Sequence, residues 1–344
     1  MIENSAFVTI GEPKRVLDAI AEGRAPRAEY AVLREGHFSK TVAVVDQPAM
    51  GSKMTAGLGF AFRAYRATWA EENVYLGEEF PGIEYLAVHA LLRRRKRIAM
   101  LVHNVASLRR RLPLVTFRLG RLVDHFLCLS EQSKRELEGS YGVDASRITV
   151  IGSRVDTEFF TPSSSAAGEP LVCSAGAVNR DYATLIAAVE PLGITTKIAA
   201  DTAWRYSTKE QVVGELPACV EMRSWGSYVN LRELYGRATL VVVPLKRSMM
   251  SGVTVALEAM AMGKPILLTD SPYVHDFLRH GEHGFFVPPG DPDALRERIR
   301  YLVDRPEEAK RMGERAREWV LERFTVERYV ERILSVWPAS ARSP

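Results

Sequence analysis

Hydrophobic and polar positions follow two kinds of pattern along this chain. Short apolar runs rich in Val, Ile and Leu alternate with longer stretches whose apolar residues recur three and four apart. The first pattern reads as strands buried on both faces and the second as amphipathic helices, and their alternation predicts α/β architecture with parallel sheets. In the first half, strands are expected at 41–46 (TVAVVD), 73–76 (NVYL), 98–103 (IAMLVH), 126–130 (FLCLS) and 148–152 (ITVIG), with helices at 81–96 and 132–141. In the second half, strands are expected at 171–175, 195–200, 220–223, 240–244 (LVVVP) and 266–269. The helices there fall at 180–189, 231–237, 253–262, 293–303 and 306–324. The helix at 253–262 is stopped by Gly263 with Pro265 just beyond, a common C-terminal punctuation.

Between the halves lies 161–170, TPSSSAAGEP, which has linker composition and no apolar periodicity. The length of 344 residues suits two domains, and 47% hydrophobic residues give each half a core. A net charge of +4 does not by itself imply nucleic acid. Cys128, Cys173 and Cys219 form no CxxC pair and have apolar flanks, so they read as core residues in a reducing, cytoplasmic setting. The first residues lack the features of a secretory signal. No segment has the apolar length to span a bilayer.

In open α/β sheets ligands bind beyond the carboxyl ends of strands, and the unusual residues occur there. After the 240–244 strand comes a loop with Lys246, and Ser251-Gly252 opens a helix. The unpaired N–H groups of a helix N-terminus suit an anion such as phosphate. A glycine at 252 lets a ligand approach the backbone. Glu258, set among Leu257, Ala259 and Met260, needs partners, and ribose hydroxyls would serve; the alternative is an ordinary α/β loop with Glu258 reaching solvent. His103 ends its strand at the same kind of edge, where it reads either as a ligand of a sugar or phosphate or as a structural histidine.

The blocks EAMAMGKPIL and GEHGFFVPPGDPDAL resemble the C-terminal signature of the family 4 retaining glycosyltransferases. LRELYGRATLVVVPL, CLSEQSKREL, VIGSRVDTEFFTP and the closing RAREWVLERFTVERYVERI extend the resemblance over most of the chain, leaving the first 70 or so residues weakly matched. It implies a GT-B fold: two Rossmann-like domains facing across a cleft. Residues 1–160 would bind the acceptor, 171–320 the nucleotide sugar, and 321–344 would return as a helix to the N-terminal domain.

The resemblance also implies roles. Glu258 matches the second of two family glutamates and would hold the ribose, but the first would fall at Met250. Gly252, Val253 and Thr254 would face the diphosphate or sugar. In SAGAVNRDYATL, Ala177 stands where an arginine is expected, and Arg180 lies near the expected lysine; Arg180 and Lys246 would neutralise the diphosphate. Each also reads as a surface residue. Trp225 and Gly226 would flank the base, or Trp225 would pack between the domains. His103 resembles a histidine near the donor sugar. Glu78 and Glu79 could meet an acceptor, and Gly51, Gly57 and Gly59 could replace the usual glycine-rich loop. No metal or other cofactor is expected, since a nucleoside diphosphate sugar, UDP-linked first and GDP-linked second, is the substrate. Retention of configuration is implied; the alternative is a catalytically silent nucleotide-binding scaffold.

No acidic residue occurs between Glu84 and Asp124, a span holding Arg93, Arg94, Arg95, Lys96, Arg97, Arg109, Arg110 and Arg111. Such a surface suits an anionic membrane at its periphery or an anionic acceptor; it also suits a solvated helix face. No nucleic-acid-binding module accompanies it.

Overall fold

A computed structural model describes residues 2–11, 14–33, 36–44, 53–92, 94–103, 114–115, 118–162, 168–200, 215–246 and 248–337. Met1–Asp18, Ala28–Gly152 and Glu327–Pro344 form one compact unit, and Ala19–Arg27 with Ser153–Val326 form the other. Each is Rossmann-like, with helices around a six-stranded sheet whose paired strands all run parallel.

The first unit contains β1 (Ile2–Ile10), β2 (Phe38–Val44), β3 (Asn73–Leu76), β4 (Arg97–Val102), β5 (His125–Cys128) and β6 (Ile148–Val150), in the order β2-β1-β3-β4-β5-β6. Its helices include α1 (Lys14–Ala21), shared with the second unit, α2 (Glu29–Leu33), α3 (Lys53–Ala67), α4 (Glu79–Leu92) and α5 (Glu131–Tyr141). Val74, Leu76, Ile98, Met100, Phe126 and Cys128 feed a helix-covered core. Next to Leu76, the Tyr75 ring stacks with Phe7 at 5.2 Å and Phe38 at 5.9 Å. The expected strand at 41–46 is an edge strand that begins earlier, at Phe38, and residues 45–46 lie outside the described set. The helix expected to reach Lys96 ends at Leu92. Lys96 instead turns its Nζ onto the carbonyl oxygens of Thr68 and Glu71, both at 2.6 Å, and burial lowers its pKa to about 8. It is therefore not part of a free basic face. Gly57 and Gly59 lie within α3 and form no loop, while Gly51 lies outside the described residues.

The second unit contains β7 (Val172–Ala175), β8 (Thr196–Ala199), β9 (Val220–Arg223), β10 (Leu240–Val243), β11 (Ile266–Thr269) and β12 (Gly284–Val287), in the order β12-β11-β10-β7-β8-β9. Its helices are α6 (Tyr182–Val189), α7 (Tyr228–Arg237), α8 (Val253–Ala261), α9 (Pro292–Val303) and α10 (Pro306–Arg323). On β10, Val241 and Val243 enter one buried cluster, while Leu240 and Val242 enter another. Both faces are thus covered, which explains the unbroken apolar run. Cys128 and Cys173 are buried, whereas Cys219 is partly exposed.

The last helix, α11 (Val326–Ser335), begins at the boundary, and its residues from Glu327 belong to the first unit. Tyr329, Val330, Ile333 and the following Trp337 are buried, and Arg332 donates to the Ile151 carbonyl at 3.0 Å.

Candidate functional site

The loops after β7, β9, β10 and β11 carry the chemistry of the second unit. Two are fastened together: Asp181 N–H donates to Pro244 O at 3.0 Å and Lys246 N–H to Asn179 O at 3.2 Å. Thr269, ending β11, accepts from Leu245 N–H at 2.9 Å.

Arg180 completes the fastening. Its Nε donates to Ala175 O and its Nη1 to Val178 O, both at 2.8 Å, and Nη1 lies 3.4 Å from Ser251 Oγ. The guanidinium is buried, so the surface-residue reading fails. Gly176 makes room for it: a Cβ there would fall 2.5 Å from Arg180 Nη2, and φ is +104°.

Gly252 opens α8 with φ +81° and gives no side-chain cap to the helix. It also has a packing role. A Cβ at this position would lie 2.7 Å from Val243 Cγ1, so the missing side chain lets the helix sit on β10. Val253 and Thr254 follow as its first residues.

Glu258 is buried on α8 and does not reach solvent. Tyr235, on α7, donates to its Oε2 at 3.1 Å. Desolvation raises the Glu258 carboxyl pKa to about 8, against the opposing pull of Tyr235, Arg180 and Arg154. The Tyr235 hydroxyl is pushed well above its usual range by burial and by Glu258. Sequence reasoning missed Tyr235, although it stands in the quoted LRELYGRATLVVVPL. Arg180 thus lies beside Ser251 at the start of α8 and within electrostatic reach of the buried Tyr235–Glu258 pair.

The remaining positions are more open. Lys246 is exposed, and Met250 packs partly against the core. Trp225 is half-buried with the Arg223 guanidinium 4.0 Å from its ring centroid, and its indole N–H has no hydrogen-bond partner among the described residues. Gly226 is exposed, with φ +71°.

In the first unit, His103 follows β4 at its carboxyl end. Its N–H donates to Glu79 Oε1 at 2.9 Å, and its ring Nδ1 is 3.6 Å from Glu79 Oε2. Glu79 is buried in the first turn of α4. It holds the His103 backbone and is not open to an acceptor. Arg93, Arg109, Arg110 and Arg111 lie outside the described residues, and Arg94, Arg95 and Arg97 are exposed. Among the described residues no helix is long and apolar enough to cross a membrane.

Paired Rossmann-like units of this kind define the GT-B class of glycosyltransferases. The structure of Anabaena Alr3699/HepE in complex with UDP and glucose aligns with a TM-score of 0.72 at 16% identity, covering 98% of this chain and 99% of that one, a likeness of fold. The sucrose-phosphate synthase of Thermosynechococcus elongatus aligns with a TM-score of 0.72 at 16% identity, over 96% and 98%. The family described as Glycosyltransferase Family 4 matches residues 39–159, and Glycosyl transferases group 1 matches 206–319. The chain belongs to the family 4 glycosyltransferases. Among curated relatives, the MMP alpha-(1->4)-mannosyltransferase of Mycolicibacterium hassiacum is 24% identical over 241 residues, 64% of this chain and 55% of that protein. The N-acetyl-alpha-D-glucosaminyl L-malate synthase of Bacillus anthracis is 30% identical over 112 residues, 33% of this chain and 29% of that protein. The chain spans between about a tenth and about three-fifths of the length of the curated relatives it matches.

Proposed function

We propose that this chain transfers a sugar from a nucleoside diphosphate to an acceptor hydroxyl, with retention of configuration and without a metal. UDP is the first choice of nucleotide and GDP the second. The observation that carries this reading is the buried Tyr235–Glu258 pair on α7 and α8, beside Arg180 at the carboxyl ends of the strands. A buried carboxyl with a single-sided tyrosine partner suits ribose hydroxyls as further partners. The complex of HepE with UDP and glucose supports the donor class.

The difficult event is charge building on the leaving diphosphate as the bond from sugar C1 to phosphate oxygen breaks. Arg180, Lys246 and the start of α8 at Gly252, Val253 and Thr254 would stabilise it. The acceptor oxygen bonds to C1 on the same face, and its proton passes to the leaving phosphate oxygen. His103 would hydrogen-bond the sugar or that phosphate, while Trp225 and Gly226 would border the base. A second reading, a nucleotide-binding scaffold without transfer, is favoured by Met250 packing against the core where the family has a glutamate.

Calorimetric titration with UDP, GDP, ADP and dTDP in the presence of EDTA tests the donor site. Binding of one nucleotide in clear preference supports it, and no binding to any removes it. With the donor sugar identified, NMR of the product decides the stereochemistry: an inverted anomer overturns retention, and tight binding without transfer favours the scaffold.

A further inference from the structure

The exposed apolar side chains of the first unit are concentrated where α3 and α4 meet. On α3 and just beyond it, Leu58, Phe62 and Trp69 are exposed, and Arg63 and Arg66 are exposed between them. Their spacing, 58, 62, 66 and 69, follows one helical stripe. At the end of α4, Leu91 is 83% exposed and Leu92 is also open. The two ends are physically joined: the Arg94 guanidinium lies 4.2 Å from the Trp69 ring centroid, and Tyr65 contacts both Trp69 and His89 of α4. The result is one surface on which large apolar side chains and guanidinium groups interleave.

Its charge pattern extends the arginine-rich segment to a second stretch. Residues 47–70 contain Lys53, Arg63 and Arg66 and no acidic residue, while 85–123 are also free of acids. The contact of Trp69 with Arg94 brings these separate acid-free stretches together. The nearest acids in sequence, Glu71 and Glu72, come after Trp69; Glu71 lies 3.7 Å from the Lys40 ammonium.

We propose that this α3–α4 face docks on an anionic lipid bilayer, with Phe62, Trp69 and Leu91 entering the interfacial layer and Arg63, Arg66, Arg94 and Arg95 engaging lipid phosphates. Arginine forks suit phosphate, and aromatic side chains suit the headgroup boundary. The chemistry favours this occupant. A second copy of the chain would set like charges against each other, and a nucleic acid would leave Phe62 and Leu91 without apolar partners.

Co-sedimentation of the full chain with vesicles of phosphatidylcholine, alone or mixed with phosphatidylglycerol, tests the proposal. Binding is expected only to the mixed vesicles. Phe62→Ser with Leu91→Ser, and separately Arg63→Glu with Arg66→Glu, should each lower partitioning by about tenfold or more. Nucleotide titration of the same variants monitors folding and the donor site, so a failure there is distinguishable from a failure at the membrane. Equal binding to neutral vesicles, or anionic binding unchanged in both double variants, overturns the proposal. So does a dimer in sedimentation velocity that Phe62→Ser with Leu91→Ser dissolves while vesicles recruit nothing.

Discussion

The Tyr235 hydroxyl donates to Glu258 Oε2 at 3.1 Å, joining α7 to α8 through a hydrogen bond buried from solvent. Neither residue titrates as it would in water, because burial disfavours both anions.

A pH dependence of stability follows. The Glu258 pKa is raised in the folded chain, from an ordinary 4.5 to about 8. The folded state then holds a proton that the unfolded state releases, so stability from this group is full below about pH 4.5 and is lost as pH rises to about 8. The loss should be a few kcal/mol, at about 1.4 kcal/mol per pKa unit. Urea denaturation at several pH values should show this downward slope, and Glu258→Gln should flatten it. A slope unchanged in the variant would place the titration elsewhere.

Glu258→Ala should weaken binding of the preferred nucleotide by about tenfold, since a buried hydroxyl left without its partner costs about 1–3 kcal/mol. Glu258→Gln, which keeps the shape and an acceptor, should lose less. Calorimetry on both variants checks this, and undiminished affinity in the alanine variant counts against the ribose assignment.

Arg180→Met should destabilise the second unit because the carbonyl oxygens of Ala175 and Val178 lose their donor. The cost should be about 1–3 kcal/mol for each carbonyl left dry. Arg180→Lys should recover part of that stability but not the forked geometry. A greater fall in kcat than in melting temperature for the lysine variant would separate its phosphate role from its loop-fastening role.

Gly252→Ala meets two obstacles, the 2.7 Å approach to Val243 Cγ1 and φ of +81°. The φ strain alone should cost about 1–3 kcal/mol. Thermal melting should register that loss, accompanied by weaker nucleotide binding as the start of α8 moves.

His103→Ala should lower turnover more than nucleotide affinity. Glu79→Gln, which disturbs the carboxylate accepting from His103 N–H, should shift the pH profile of the reaction without abolishing nucleotide binding. Steady-state kinetics across pH checks both; unfolding of the alanine variant, seen by circular dichroism, would leave His103 a structural residue.

One strand in each unit went unread, β1 in the first and β12 (Gly284–Val287) in the second, but the helices were more legible in the second unit. Its strands are buried on both faces, so Leu240–Val243 and Ile266–Thr269 appear as plain apolar runs at the expected places. β1 escaped notice although it is internal to its sheet, because Glu3 and Asn4 interrupt its apolar pattern. The structure accommodates them with a register shift between Ile2 and Ala6 and a positive φ of 47° at Asn4. In the candidate site, motif resemblance pointed to Arg180 and Glu258, but neither burial nor Tyr235 could be read from spacing. Tyr235 becomes relevant only when α7 packs against α8, a tertiary contact with no local signature. At Gly252 the sequence shows a glycine at a helix start but not the Val243 methyl group beneath it.

The placement of α11 has a consequence for synthesis. Tyr329, Ile333 and Trp337 fill the first unit, yet they are translated only after the whole 153–326 segment. At roughly 5–20 residues per second, the surface they cover waits about 10–40 s for its partner on the ribosome. During that interval the second unit can complete its own sheet, while the first must persist with apolar surface uncovered, within reach of chaperones. Biogenesis of this chain should therefore run against the order of its sequence, with the unit begun first being the one finished last.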